Sequence, residues 1–243
     1  MVNLPISELF NGNFQGFFIN LLLILPALVI AISFHEAAHA WMAWKMGDPT
    51  ARNLGRVTLD PTKHFDLLGF LSFALIGFGW GKPTPTNPRN YYNYKKGNVL
   101  VALAGVTTNL IISVVTTGII SLMYALGAFS SVTGSTLGNI MGILLVILFE
   151  VALLNMVLCF FNLIPIPPLD GHHLVKGFIA RRSPKFYMYY NQYGYLALIV
   201  LLFLVPGVSS AFFGLIVWVF QWVVRLFGAS EAFAVFLRIL SLL

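Results

Sequence analysis

The stretch "FFINLLLILPALVIAISFHEAAHAWMAW", residues 17–44, is long and apolar enough to cross a bilayer as a helix, yet it contains two histidines and a glutamate. The whole chain of 243 residues is 58% hydrophobic and only 9% charged. A soluble domain carries about 25% charged residues. The composition therefore predicts an all-α polytopic membrane protein, a single integral membrane domain over residues 1–243 with no room for a soluble domain of ordinary size.

Further apolar stretches predict about five or six membrane helices in all. "PG" at 206–207 separates the last two predicted spans, and the apolar tail after residue 229 is short for a span, which favours an interfacial helix. We expect a core over about residues 17–176 and C-terminal helices over about 189–243. The predicted spans after the first cover about residues 99–129, 139–163, 189–205 and 210–225.

The segment between the first two spans contains another apolar run, "FDLLGFLSFALIGFGWG", at residues 65–81. Basic residues on both sides argue against a crossing, so we expect a re-entrant or interfacial hairpin. Before this run, "RVTLD" at 56–60 alternates Val57 and Leu59 with polar residues, which predicts a short β-strand. After it, "KPTPTNP" at 82–88 must be extended because its prolines restrict the backbone.

Basic residues set the expected orientation of the chain in the cell membrane. Eight lysines and arginines lie in residues 45–96 and four lie in residues 176–185, whereas the loop near Ser131 has none. Two predicted spans separate the two basic segments, so both lie on one side. The positive-inside rule makes that side cytoplasmic and puts the amino terminus outside.

The histidines in the first span carry the chemistry. Residues four apart lie on one face of a helix, so His35 and His39 can offer two imidazoles to one metal ion. Glu36 lies beside them, within reach of a water molecule at that ion. This is the arrangement of a zinc hydrolase, with two histidine ligands and a glutamate general base. An ionisable side chain inside a membrane helix is costly, which favours a functional role over simple helix packing.

Zinc needs a third protein ligand and one open position for water. Counting back from Lys45, the histidines place the metal roughly 9 Å below the end of the first span. Asp170 follows a proline break at the same end of the third span and can fold back to that depth, whereas Glu150 lies near mid-span. Asp170 is the better ligand on geometry, and His172 and His173 are nearby alternatives. The role of Glu150 stays open.

Two motifs occur in a specific order: "HEAAH" at 35–39 and "NLIPIPPLDG" at 162–171, with a Gly-x-x-x-Asn element at 105–109 between them. Together they resemble the site-2 protease family of intramembrane zinc metalloproteases, whose second signature is Asn-x-x-Pro-x-Pro-x-Leu-Asp-Gly. The resemblance covers about residues 30–176. The segments on either side of the apolar run 65–81 are similar to the short branch of the family that has no PDZ or CBS domain.

The resemblance implies a role for each matched residue. One Zn²⁺ ion per chain is assigned three ligands, which are His35, His39 and Asp170. Glu36 is implied to activate the water, Asn162 to stabilise the oxyanion, and Asn109, with Gly105, to hold the substrate strand. Judged from the residues alone, Asn162 can also cap a helix end and Asn109 can make an interhelical hydrogen bond.

The resemblance implies an intramembrane zinc endopeptidase that cleaves peptide bonds in or near transmembrane segments, as in regulated intramembrane proteolysis. Its expected partners are those segments and the lipid bilayer, with no nucleic acid. An unwound substrate helix can pair with an exposed strand edge. We hypothesise that residues Val57 to Leu59 or residues 82–88 form that edge; a solvated loop on lipid headgroups is the alternative.

Three other functions fit part of the pattern. A membrane transporter or ion-binding protein also buries histidine and glutamate, although no internal repeat is visible. A non-catalytic homologue would bind client helices without cleaving them, although all four catalytic positions are intact. A membrane protease for prenylated chains takes a glutamate as third ligand, and the Asp-Gly pair after the prolines argues against it.

Overall fold

The computed structural model describes residues 8, 11–76, 79–129 and 136–240, and these residues contain helices and no strand. This confirms the all-α fold class. Short turns of 3₁₀ helix (Pro88–Asn90) and π-helix (Val200–Leu204) accompany the α-helices. In chain order the α-helices are α1 (Phe14–Lys45), α2 (Thr50–Asn53), α3 (Pro61–His64), α4 (Leu67–Ile76), α5 (Tyr94–Ala125), α6 (Thr136–Leu163), α7 (His172–Arg182), α8 (Pro184–Ile199), α9 (Val208–Leu226) and α10 (Ser230–Leu240).

Four of the described helices, α1, α5, α6 and α9, are long and apolar enough to cross a membrane. The expected count of about five or six spans is not confirmed. α1, α5 and α6 pack on one another, and α1 contributes a row of small residues to this contact. Small side chains let helix backbones approach closely where lipid, not water, is the surrounding medium. The buried alanines of α1 include Ala27, Ala31, Ala40 and Ala43.

The direction of α9 bears on the predicted span at 189–205, because it shows at which end of the bundle the chain leaves and returns. Phe212, near the start of α9, has its ring 6.4 Å from that of Phe161, near the end of α6. At the other end, the Ser121 hydroxyl of α5 donates a hydrogen bond to the carbonyl of Phe227, just after α9. α9 therefore starts at the end of the bundle where α6 finishes. The chain leaves and re-enters the bundle at that same end, with α8 between.

The C-terminal helix α10 packs against the spans. Its Ala232 and Phe236 are buried, and the Phe236 ring stacks on Phe149 of α6 with centroids 4.8 Å apart. Tyr124, at the end of α5, donates a hydrogen bond to Glu231 at 2.5 Å. The buried face of α10 has the spacing of a helix packed on a bundle, and the interfacial position of this tail stays a prediction.

The strand predicted at residues 56–60 is wrong. The chain turns at Leu54 and Gly55 after α2, and Gly55 has φ +68°, which favours glycine. Arg56 then points inward, and its Nη2 donates a hydrogen bond to the Lys82 carbonyl at 2.5 Å. The alternation of Val57 and Leu59 reflects a bend pinned by a buried arginine, not a pleated strand.

The two residues that flank the apolar run 65–81 lie next to each other. Its helix α4 has only ten residues, too few to span a bilayer. Lys82 donates its backbone N–H to the His64 carbonyl at 2.8 Å, so the two flanks of the run lie side by side. Residues 77 and 78 lie outside the described residues. The re-entrant or interfacial placement of this hairpin stays a prediction.

Candidate metal centre

Two helix turns of α1 and the loop after α6 bring three ligand atoms together. Nε2 of His35 and Nε2 of His39 lie 2.9 Å apart. Oδ2 of Asp170 lies 3.2 Å from the first nitrogen and 3.1 Å from the second. Both histidines are buried. The spacing of four residues and the proline break therefore assemble the cluster that the sequence predicts.

A missing side chain makes room for this cluster. Gly105 of α5 faces the imidazoles, and a Cβ atom added there would lie 2.5 Å from Nε2 of His39 and 2.6 Å from Cε1 of His35. Real Cβ contacts are essentially never that short. The Gly-x-x-x-Asn element thus packs α5 directly against the histidine pair.

A second contact with α5 orients His39. Its Nδ1 lies 2.7 Å from the backbone carbonyl of Val101, so Nδ1–H donates and Nε2 is left as the acceptor that points at the cluster. Metal-binding histidines are held in this way by a carbonyl or carboxylate on the far ring nitrogen. Nδ1 of His35 is buried and has no partner among the described residues.

The third ligand atom depends on the broken end of α6. The helix stops at Leu163, and the Gly171 N–H closes the loop by donating to the Asn162 carbonyl at 2.6 Å. A Cβ at position 171 would collide with the Leu163 carbonyl, so this closure requires glycine. Burial alone would raise the pKa of Asp170, but the facing imidazoles outweigh it and hold that pKa below its usual range.

The donor set and its dimensions fit zinc. Two imidazole nitrogens and one carboxylate oxygen are common zinc ligands, with metal–ligand bonds of about 2.0–2.2 Å. Ligand atoms at two corners of such a tetrahedron are separated by about 3.3 Å. The observed separations of 2.9, 3.1 and 3.2 Å are close to this value. His35, His39 and Asp170 can therefore hold one zinc ion and leave a fourth position open.

Glu36 is held by the extended segment after the apolar hairpin. The Thr84 N–H donates to Oε2 of Glu36 at 2.7 Å, and the Thr84 hydroxyl donates to the Glu36 carbonyl at 3.0 Å. Nη2 of Arg56 lies 4.0 Å from the same Oε2. Lys82, two residues before Thr84, is fixed by its bonds to Arg56 and His64. The backbone N–H of Thr84 therefore holds the Glu36 carboxylate in one orientation.

The far end of this segment is fixed by one buried carboxylate. Oδ2 of Asp48 accepts the Asn87 N–H at 2.6 Å, and Oδ1 accepts from Nδ2 of Asn90 at 2.8 Å and from Thr50. Burial disfavours the charge, but these hydrogen bonds outweigh it and lower the pKa of Asp48. Asp48 and the pair Arg56–Thr84 were missed by sequence reasoning. No local pattern indicated these contacts, because Asp48 and Arg56 lie 39 and 26 residues from their partners Asn87 and Lys82.

The two predicted asparagines are differently placed. Nδ2 of Asn162 donates to the Leu158 carbonyl of its own helix at 3.1 Å. Asn109 lies one turn beyond Gly105 on the same face of α5, fully buried, and neither its oxygen nor its nitrogen has a partner among the described residues. The side chain is fully enclosed, so a substrate backbone could reach this donor and acceptor only if α5 and its neighbours moved apart.

The remaining candidates lie outside the cluster, which within the described residues comprises only the three ligands. His173 instead lies 2.9 Å from the Lys176 ammonium, and burial together with that charge lowers the pKa of His173 to about 4. His172 packs against Tyr190. Glu150 is buried within α6 without joining the site. Val57 is half-buried, and Leu59 is exposed.

A histidine pair and an aspartate held together inside a spanning helix bundle define the class of membrane metallopeptidases. The comparison with known families agrees with this class. The chain belongs to peptidase family M50, the site-2 protease family, whose model matches residues 23–205.

Similar proteins carry names of the same kind. YwhC of Bacillus subtilis (strain 168), named as a zinc metalloprotease, is 35% identical over 175 residues, which cover 72% of this chain and 77% of YwhC. Rip2 of Mycobacterium tuberculosis (strain ATCC 25618 / H37Rv), also named as a zinc metalloprotease, is 25% identical over 203 residues, or 82% of this chain and 73% of Rip2. Rip2 of Mycolicibacterium smegmatis is 27% identical over 216 residues. No solved structure matched the chain.

Proposed function

We propose that this protein is a zinc-dependent intramembrane endopeptidase that cleaves membrane-protein substrates in or near their transmembrane segments. The observation that supports this most is the depth of the metal centre. His39 lies six residues before the end of α1 at Lys45, roughly 9 Å below the end of a spanning helix. Because α1 is about 48 Å long and the hydrocarbon core is about 30 Å thick, that depth lies near the edge of the apolar core, and a peptide bond must enter the headgroup region to reach it.

The roles of the residues follow from their positions. Zinc, when held by His35, His39 and Asp170, supplies a Lewis acid and lowers the pKa of water. Glu36 takes the proton from the attacking water and passes it to the leaving amine. The Thr84 N–H keeps the Glu36 carboxylate oriented for this transfer. Asn162 and Asn109 are the candidates for stabilising the oxyanion and binding the substrate backbone.

The extended segment at 82–87 is the better candidate for the substrate-binding edge, now that residues 56–60 form a bend. In extended backbone, neighbouring residues point their N–H and C=O groups to opposite sides. The Thr84 N–H points at Glu36. Pro83 and Pro85 then face away, and prolines have no N–H. This edge would offer carbonyls only, and an unwound substrate would bind it through alternate N–H groups.

The basic segments support a cytoplasmic metal end and an external amino terminus. α1 begins at the opposite end of the bundle from the metal, and Lys45, Arg52 and Lys95 cluster at the metal end. Substrates would be single-span proteins, or the membrane-bound remnants of other cleavages, that present an unwound stretch near the cytoplasmic surface.

The test compares the parent with Glu36→Gln, using purified protein and a fluorescent single-span helix as substrate. Loss of the general base should lower cleavage by about 10²–10⁴-fold, with one zinc per chain retained. Glu231→Gln, the same substitution at the far end of the bundle, is the matched control and should cleave like the parent. Equal cleavage by Glu36→Gln and the parent would reject Glu36 as the base, and a parent without zinc would reject the metal site.

A further inference from the structure

Helix α8 starts and finishes at the same end of the bundle. It follows α7 at the metal end of the bundle, and α9 starts at that same end, as the contact between Phe161 and Phe212 shows. The 24 residues from 184 to 207 therefore leave from and return to one side. With the π-turn that continues it to Leu204, the helix has 21 residues and is about 30 Å long, so with both ends on one side it lies along the membrane surface or at a shallow angle to it.

One face of α8 supports the loop that carries Asp170. The Tyr190 hydroxyl donates a hydrogen bond to the Pro165 carbonyl. A Cβ at Gly194 would lie 2.8 Å from Cδ of Pro167, so the loop rests directly on the helix backbone. The His172 ring packs against Tyr190 with centroids 5.2 Å apart. This face explains why Gly194 and Leu198 are the buried residues of α8.

A second face of α8 is aromatic and exposed, and Met188, Tyr195 and Leu196 on the rest of its surface are exposed as well. Phe186, Tyr189 and Tyr193 are each at least 50% exposed, and the rings of Tyr189 and Tyr193 stack at 6.3 Å. Tyrosines with an apolar ring and a polar tip are enriched at the level of lipid headgroups. An exposed aromatic face of this kind suits a helix at the level of the lipid headgroups.

The charge around α8 is of one sign. Arg181 and Arg182 end α7, and Lys185 is in the first turn of α8. Between Asp170 and Glu231 the sequence has no acidic residue. A basic edge beside an aromatic face complements a layer of anionic headgroups, because each lysine or arginine near such a surface adds about 1 kcal/mol of attraction.

We propose that α8 is an interfacial helix that binds the anionic lipid headgroup layer on the metal side and braces the Asp170 loop against it. The bilayer surface is then the outer support of the third metal ligand. Substitutions on the lipid face should loosen that support without touching any residue of the metal centre. This proposal concerns lipid contact and holds whether or not the chain cleaves peptide bonds.

The first arm of the test establishes the path of the chain. Single cysteines at Lys185 and Val205, which flank α8 and the π-turn, are labelled with a membrane-impermeant maleimide in the full-length protein with Cys159→Ala. Lys95→Cys and Leu126→Cys are the references for the metal end and the far end. We expect positions 185, 205 and 95 to react from one side and 126 from the other. Labelling of 205 together with 126 would mean that α8 crosses, which overturns the proposal.

The second arm identifies what covers the aromatic face. A fluorophore on Tyr193→Cys is exposed to a shallow spin-labelled lipid and to aqueous iodide, in phosphatidylcholine vesicles with and without phosphatidylglycerol. We expect quenching by the lipid to exceed quenching by iodide at least threefold, and phosphatidylglycerol to increase it. Replacing both Arg181 and Arg182 by glutamine should reduce that increase, with Lys185 supplying the remainder. Dominant iodide quenching would mean a water-facing surface, and no effect of phosphatidylglycerol would exclude the anionic headgroup.

Discussion

The two ends of the helix bundle are stabilised in different ways. At the metal end, groups far apart in sequence meet through polar contacts: Asp170 lies 131 residues from His39, and Thr84 lies 48 residues from Glu36. At the far end, aromatic rings fill the space between α6, α9 and α10, with Phe149, Phe220 and Phe236 buried. The difference suggests that chemistry and stability can be changed separately, one end at a time.

The largest effect should come from filling the space at the metal end. In Gly105→Ala, the new Cβ would lie 2.5 Å from Nε2 of His39, so the imidazoles must move and zinc affinity should fall about 10–100-fold. Competition with a calibrated chelator measures this. Gly118→Ala is the matched control in the same helix, because its Cβ would meet only the edge of Phe227, at 3.2 Å. Parent-like affinity in Gly105→Ala would show that the contact is not tight.

A cavity at the far end should lower stability and leave zinc affinity unchanged. Phe149→Ala removes a ring that is fully buried against Phe236. Because lipid is also apolar, the cavity dominates the cost, and we expect a loss of about 2–3 kcal/mol in unfolding free energy. Unfolding in mixed micelles measures it, with the exposed Phe213→Ala as control. Zinc affinity should stay unchanged; a parallel fall in affinity would erase the distinction between the two ends.

A smaller effect is expected at the edge of the metal end, where Asp48 holds the segment that clamps Glu36. Asp48→Asn replaces one of the two acceptor oxygens with an NH₂ group, which must face either the Asn87 N–H or the donors from Asn90 and Thr50, and should cost about 1.5 kcal/mol of stability. Asp60→Asn is the control, because Asp60 is exposed and asparagine caps a helix such as α3 equally well. If both variants unfold alike, Asp48 has no special role.

The same variant should alter the response to acid. The folded-state pKa of Asp48 is lowered, so its contribution to stability is complete above the unfolded pKa of about 3.9. That contribution disappears as the pH falls through the lower, folded value. The parent should therefore lose stability over this acidic range more steeply than Asp48→Asn. Unfolding curves between pH 6 and pH 3 in detergent micelles give the free energy of unfolding of both proteins at each pH. Identical slopes of that free energy against pH would show that the Asp48 carboxylate does not cause the acid sensitivity.

Much of the metal centre could be predicted because its signals are local. His35 and His39 share a helix face through their spacing alone, and the prolines before Asp170 mark a broken helix end. Gly105 was recognised only as part of a motif, since its packing against the imidazoles depends on how α5 meets α1. The bond from Thr84 to Glu36 is a contact between loop and helix that no periodicity encodes.

The errors of prediction in the fold have the same origin. Residues 189–205 are apolar enough for a span, and only the direction of α9 reveals that the helix over them begins and ends at one end of the bundle. Residues 56–60 alternate like a strand, but the buried Arg56 side chain sets their conformation through a partner 26 residues away. Hydropathy and periodicity describe each segment alone, whereas these outcomes depend on neighbours distant in the chain.

The wide sequence separation between the histidine pair and Asp170 has a mechanical consequence. An ion gripped from both sides would act as a staple that joins the first span to the broken end of the third and closes a loop of more than a hundred residues. Cross-links that close long loops restrict the unfolded chain most. Removal of the ion by a chelator should therefore lower the stability of the bundle as well as its activity. Resistance to proteolysis would then report the fraction of chains that hold the ion.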